Sequence, residues 1–332
     1  MKKLLALTLM ILLVVSMVAC GGDKTTTTTT NNSGNNNPPA VESLKLGLGT
    51  TVAAASSKLE VTINYAAVLV DKDGKIVDCE IDTVVASAKA TDGVLELPTE
   101  VLTKGEKGDA YNMKVASGIG KEWYEQVNAL EDYCTGKTLA EVKGIAIGED
   151  GKATDEAVKS FATMAISDLV NVIEVAYNNA KDLGSKTGDT LKIASQTSVA
   201  SSKNAEEGAN GSFAVATDIC ALTVKDGKVT ASTIDSADVK VAFDVAGTVT
   251  VPTDLRTKGQ KGHDYNMKVA SGIGKEWFEQ VEGFCAYLQG KTASEIAGIA
   301  MAEDGKTTDA DLLTSATMAV AHFQTLVAKT LK

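Results

Sequence analysis

Histidine is nearly missing from this sequence, and its scarcity excludes much chemistry at once. The 332 residues hold two histidines, four prolines, two tryptophans and five cysteines. The two histidines do not correspond in the internal repeat set out below: His263 faces Asp109 and His322 faces Asp168. A histidine metal site copied with the repeat is therefore excluded. No Cys-x-x-Cys pair occurs, and no spacing suggests a Ser-His-Asp or Cys-His set. A basic surplus is also missing. The net charge of -11 argues against a nucleic-acid partner, whose phosphates demand basic patches. Aromatic residues make up only 5%, so cores must rest on Val, Ile, Leu and Ala.

Long apolar runs are absent as well. The longest spans residues 4–15, behind Lys2 and Lys3, and is too short for a stable membrane span. It has the form of a secretion signal over residues 1–20. Small residues precede Cys20, as in the bacterial lipobox, where the cysteine is lipidated and becomes the mature N-terminus. The expected location is extracytoplasmic, with a lipid anchor in the cell membrane through Cys20. Residues 21–43 include six consecutive threonines, five asparagines and Pro38–Pro39. Lacking a large apolar residue over 23–40, this stretch reads as an extended tether.

What is present is a duplication. The sequence YNMKVASGIGKEW occupies residues 111–123 and recurs unchanged at 265–277. The distance between copies is too great for a solenoid repeat and suits a domain. The expected domains are 44–184 and 185–332. Each opens alike, at 44–52 and 191–199, and the second carries a polar insertion at 204–211. An Asp-Gly turn at 73–74 and again at 226–227 predicts a β-hairpin in each copy, with return strands at 76–81 and 229–234. A second hairpin is expected from 84–90 with 94–97, and from 239–243 with 248–251. A helix is expected over 121–134, where Trp123, Val127 and Leu130 share a face. Thr138 and Thr292, each followed three residues on by Glu, read as capping boxes. Thr154 and Asp155 should start a last helix reaching about residue 181, with Phe161, Ala165, Leu169 and Ile173 buried. Residues 185–189 read as a joint. The fold class is α+β: two tandem similar domains, each a small antiparallel sheet with packed helices.

These motifs resemble the FMN-binding domain family of exported bacterial flavoproteins, in its tandem-repeat lipoprotein branch. The shared features are the DGK hairpin, the K-x-x-x-G-x-x-Y-x-M-K loop, K-E-W-x-E-Q, and a terminal D-x-x-[ST]-G-A-[ST] element. The resemblance implies FMN carried by the final Thr or Ser through a phosphodiester, attached by a flavin transferase, and electron exchange with redox partners. The element reads Asp311, Thr314, Ser315, Ala316, Thr317 in copy two, with Ser315 in the Gly position. Copy one has Ala157 for the Asp and Phe161 for the Gly, ahead of Thr163. Tyr111 and Tyr265 could stack on a planar ligand or serve the core. Lys121 and Lys275 could add charge where the Gly-x-Gly turn meets a helix N-terminus, a place that suits phosphate. No catalytic residue and no metal ligand is assigned. The departures in copy one motivate a second reading, a surface binding lipoprotein that kept the fold and lost the flavin. Cys79, Cys134, Cys220 and Cys285 do not coincide between copies. They read as small buried hydrophobes, with disulfide pairing left open.

Overall fold

A computed structural model describes residues 41–332. The signal segment, Cys20 and the tether up to residue 40 lie outside the described residues. Two four-stranded antiparallel sheets organise the rest. The first has the order β3-β2-β1-β6, from β1 (Ser43–Ala54), β2 (Glu60–Val70), β3 (Ile76–Ser87) and β6 (Lys181–Lys186). The second has the order β10-β9-β8-β7, from β7 (Thr190–Ser198), β8 (Gly211–Lys225), β9 (Lys228–Phe243) and β10 (Val249–Thr250). A short ribbon pairs β4 (Lys89–Thr91) with β5 (Val94–Glu96).

Strand periodicity shows why the sheets stack. Successive side chains point to opposite faces. On β2, Val61, Ile63, Tyr65, Ala67 and Leu69 enter one core, and Ala66, Val68 and Val70 enter another. The first core is shared: it also contains Phe213, Val215, Ile219, Val239, Val241 and Phe243 of the second sheet. The outer faces are covered by helices. In the first repeat these are α1 (Lys104–Lys107), α2 (Trp123–Cys134), α3 (Leu139–Lys143), α4 (Glu156–Lys159) and α5 (Ser167–Asn178). In the second they are α6 (Lys258–Lys261), α7 (Trp277–Leu288), α8 (Ala293–Ala297), α9 (Ala310–Leu313) and α10 (Ala321–Thr330). The layers run helix, sheet, sheet, helix, and residues 41–332 form one compact unit. Gly47 and Gly49 let α5 lie directly on β1, because a Cβ there would meet Ala176 backbone atoms at 2.0 and 2.3 Å.

The class expected from sequence is what the fold shows, while several boundaries differ. The return strand does not stop at residue 81: β3 and β9 each run unbroken to the next turn. The stretch read as a joint between domains is partly a strand, with β6 pairing antiparallel to β1. The last helix is broken in both copies. Asp155 caps the single turn of α4, the chain then extends to Ile166, and α5 begins at Ser167. The break exposes Ala165 and leaves Phe161 half-buried against Tyr133, while Leu169 and Ile173 are buried as expected. The insertion at 204–211 also does more than decorate a surface. Ala205 is buried, its N–H donates to the Gly93 carbonyl (2.8 Å), and Asn204 accepts from the Leu95 N–H (2.9 Å), so it clasps the first repeat's ribbon.

Candidate functional site

The duplicated stretch forms the same object twice. Thr103 caps α1 in a capping box with Glu106, and Thr257 caps α6 with Gln260. An aspartate from the neighbouring strand, Asp82 or Asp235, accepts the N–H of Gly105 (2.9 Å) or Gly259 (3.0 Å). A side chain at either glycine would strike that carboxylate at 2.8 Å, which explains the first Gly of the T-K-G-x-K-G motif. The chain then makes two 3-10 turns, Gly108–Tyr111 and Met113–Val115, joined by Asn112 at φ 59°. Asn tolerates this left-handed conformation better than most residues. Asn266 repeats it at φ 57°.

A buried glutamine ties the loop to the Thr163 or Thr317 segment. Gln126 donates to Ser117 Oγ and to the Lys121 carbonyl, both at 3.1 Å. Its own oxygen accepts the N–H of Thr163 (2.8 Å) and of Met164 (3.4 Å). Gln280 makes the corresponding bonds to Ser271 (3.2 Å), Lys275 (3.2 Å), Thr317 (2.9 Å) and Met318 (3.2 Å). By engaging these two N–H groups, the glutamine holds the segment extended between α4 and α5, and between α9 and α10. In the sequence the glutamine stands inside K-E-W-x-E-Q, and no local pattern gives it a role. Its position on the apolar face of α2, three residues after Trp123, was the available signal.

The residues expected to bind cofactor separate into two groups. Thr163 and Thr317 are half-buried and meet the loop through the glutamine, and Ala316 is fully buried beside Thr317. Asp311 and Thr314 lie instead on the exposed turn of α9, where Thr314 Oγ1 donates to the Asp311 carbonyl (2.7 Å). Tyr265 packs on Trp277 at 6.4 Å between ring centroids, and Tyr111 packs against the corresponding core. Lys121 and Lys275 are half-exposed, and their ammonium groups have no hydrogen-bond or ion-pair partner among the described residues. A cation not anticipated from sequence does meet the aromatics. Lys104 lies 5.5 Å from the Tyr111 and Trp123 ring centres, and Lys258 lies 5.8 and 5.7 Å from those of Tyr265 and Trp277. Burial lowers the Lys104 pKa. At Lys258 burial is outweighed by the Asp238 carboxylate at 3.0 Å, and the pKa is raised.

These surroundings do not fit a flavin phosphodiester on either threonine. The N–H groups of Thr163 and Met164, and of Thr317 and Met318, are engaged by Gln126 or Gln280 and are not free for a phosphate. The N-terminus of α2 is also taken: Glu122 and Glu125 form a capping box there, and Glu122 further accepts the Met113 N–H (2.8 Å). Carboxylates therefore stand at this helix end beside the Lys121 ammonium, and they weaken its pull on a phosphate. The place of the motif's Gly is filled by packing in both copies. Phe161 lies against Tyr133, and a Cβ on Gly283 would stand 2.6 Å from that of Ser315.

The fold assembles one further polar group, in the second repeat only. Asp218 accepts from Ser236 Oγ (2.5 Å), and His322 Nε2 lies 3.8 Å from its other oxygen. Burial raises the Asp218 pKa and lowers that of His322. The aspartate stands between serine and histidine, so histidine cannot act as base on that serine, and the order is wrong for a nucleophilic triad. Among the described residues no group of three or more His, Cys, Asp or Glu is placed to hold a metal. The four described cysteines are free and buried. Hydrogen bonding to Cys134 together with burial pushes the Cys79 pKa up, and burial lifts Cys220 and carries Cys285 to about 12. At pH 7 a thiol of that pKa is ionised about once in 10^5, and only thiolate reacts. All four thiols are expected to stay unlabelled by iodoacetamide at pH 7 until urea unfolds the chain. Intact mass before and after unfolding checks this, and rapid native labelling of more than one would contradict the burial.

Fold and site together define a two-sheet α+β protein with a twice-built, glutamine-bridged loop. No protein-family profile matches the chain, and no solved structure matches it. One curated protein is similar over a short stretch. The chlorophenol reductase of Desulfitobacterium hafniense is 58% identical over 41 residues, which cover 12% of this chain and 12% of that protein.

Proposed function

We propose that this chain is an extracytoplasmic binding protein, anchored by lipid at Cys20, that meets its target with the two loops at 111–123 and 265–277. The observation that carries this reading is identity combined with exposure. Val115 and Val269 are each 81% exposed. Around Gly118 and Gly272 no atom of the described residues lies within 4 Å of where a Cβ would be, and neither has the positive φ that favours glycine. Core packing therefore does not account for the unchanged surface side chains. Lys114, Val115 and Lys121, with their counterparts Lys268, Val269 and Lys275, offer ammonium groups beside a small apolar residue. That chemistry suits an anionic target with some apolar surface, such as a phosphate-bearing envelope polymer. Two copies on one body would add avidity wherever both can engage.

The test is retention of the purified chain on the isolated envelope of its own host. Val115→Glu with Val269→Glu is expected to cut retention at least tenfold, and either change alone by less. Unchanged retention of the double variant would remove the loops from the reading.

FMN is the second reading, since the loop and the terminal element resemble those of flavin carriers. It would imply a transferase and redox partners. The engaged donors and the carboxylates at α2 weigh against covalent attachment, so mature protein from its own host is expected to be colourless and to lack one FMN in its intact mass. A flavin-sized mass gain lost in Thr317→Ala would reverse the order of the two readings.

A further inference from the structure

We infer that the cavity between the two repeats is a binding site for a small, uncharged, mainly apolar molecule carrying hydroxyl or amino donors. Its volume is about 380 Å³, within the usual range for small-molecule sites. Leu46, Leu48 and Leu183 close it from the first repeat, and Ile234, Phe278 and Val281 from the second. It belongs to neither half alone. The loop surface discussed above plays no part in this inference.

The cavity is a built difference between the copies rather than a gap common to both. The framework around it is duplicated, yet several of its linings are not. Where the second repeat has Phe278, Cys285 and Ala286, the first has Tyr124, Glu131 and Asp132. Each change removes a polar group from the lining. In the first repeat Glu131 is buried and accepts the Ile81 N–H (2.7 Å), whereas in the second the smaller, uncharged Cys285 meets the Ile234 N–H and lines the cavity. On the first-repeat side, Lys329 from α10 also reaches across, to the Ser195 carbonyl at 2.6 Å and to Glu106 at 2.5 Å. The residue aligned with Lys329 is Val175, and on the cavity side the repeats are linked instead by Gln260, whose amide donates to the Thr50 carbonyl (2.8 Å).

Charge at the rim selects the ligand. Lys181 and Glu282 cross from one repeat to the other as an ion pair at 3.1 Å, so neither sign is favoured. Asn179 donates to the Leu48 carbonyl (2.9 Å) and Gln289 to the Leu183 carbonyl (2.7 Å), and the amide oxygen of each meets no donor among the described residues. Asp235 is already engaged by the N–H groups of Ser236 (2.8 Å) and Gly259 (3.0 Å). These two amide oxygens are acceptors at the rim. An apolar body with one or two donors matches them.

N-phenyl-1-naphthylamine is a suitable probe, being uncharged, aromatic and furnished with one N–H donor. Titrated into the purified chain, it is expected to bind once per chain with a rise in dye emission. Ala286→Phe, at an exposed rim position that the core does not need, is expected to weaken uptake at least tenfold. Cys285→Leu should do so by filling the interior. Asp132→Phe, the matched position of the first repeat, should leave uptake unchanged, as should Val115→Glu with Val269→Glu. The inference is overturned by non-saturable uptake, by uptake unaffected in Ala286→Phe, or by equal loss in Asp132→Phe. Circular dichroism of each variant separates a blocked cavity from a lost fold. Should Cys285→Leu not fold, the exposed Ala286→Phe still decides.

Discussion

Replacing Gln280 by Leu is expected to lower stability by about 3–5 kcal/mol, since several partners lose a hydrogen bond and each orphaned buried group costs about 1–3 kcal/mol. The side chain is 1% exposed. Its oxygen takes two N–H groups, at Thr317 and Met318, and its nitrogen serves Ser271 Oγ and the Lys275 carbonyl. Leu is close in size, so the loss would come from stranded polar groups rather than from a cavity. Urea unfolding measures it, and hydrogen exchange should show the Thr317 and Met318 amides losing protection first. Gln280→Glu makes a sharper test. Its carboxylate can accept both N–H groups but cannot donate to the Lys275 carbonyl, and burial would raise its folded pKa above the unfolded value. Its stability should therefore be greatest below the unfolded value near pH 4 and be lost as pH rises through the raised folded one. A cost below about 1 kcal/mol for Gln280→Leu would mean that the glutamine does not hold the loop.

That residue marks where sequence reading stopped. The duplication, the Asp-Gly hairpins, the Thr138 and Thr292 capping boxes and the helix after Gly120 were legible, because each depends on neighbours within a few positions. The glutamine bridge links residues 37 apart in sequence, and nothing local to Thr163 or Thr317 announces it. Without the bridge, the run from Thr154 onward carries a helical stripe, so its spacing predicts one long helix where the fold has α4 and then α5. Asp82 and Asp235 were overlooked for a related reason. Each is an acidic residue inside an apolar strand, and its partner N–H belongs to a turn more than 20 residues away. The pair of prolonged strands, β3 and β9, escaped because polar residues at their middles resemble turns until the second sheet is there to cover them. In the terminal element, it is the family resemblance that groups Asp311 and Thr314 with Thr317. The short helix α9 turns the first two to solvent and the last toward Gln280.

The largest expected effect follows from the shared core. A chain limited to residues 41–186 retains β1, β2, β3 and β6 with their helices, and by sequence it is a complete repeat. It is nevertheless expected not to fold cooperatively. Leu44, Leu46, Leu48, Leu59, Val61, Ile63, Tyr65, Leu69 and Val84 are all buried in the core shared with the second sheet. Burying one large apolar side chain contributes about 1.5–3 kcal/mol, so exposing this group forfeits roughly 15–25 kcal/mol. Net stability of a domain is only about 5–15 kcal/mol, and no rearrangement of one sheet hides both of its apolar faces. Tyr65 adds specificity to the contact, since its hydroxyl donates to Ser195 Oγ of the other repeat at 3.0 Å. In the full chain Tyr65→Ala should cost about 3–5 kcal/mol and shift one common unfolding transition, reported alike by Trp123 in the first repeat and Trp277 in the second. Two separate transitions, or a stable isolated 41–186 with native near-ultraviolet dichroism, would show that the repeats are independent domains in contact. One transition would mean that duplication here produced a single folding unit. It would also explain how the copies could diverge: once each sheet's inner face depends on the other, only their outer surfaces and the cavity between them are free to change.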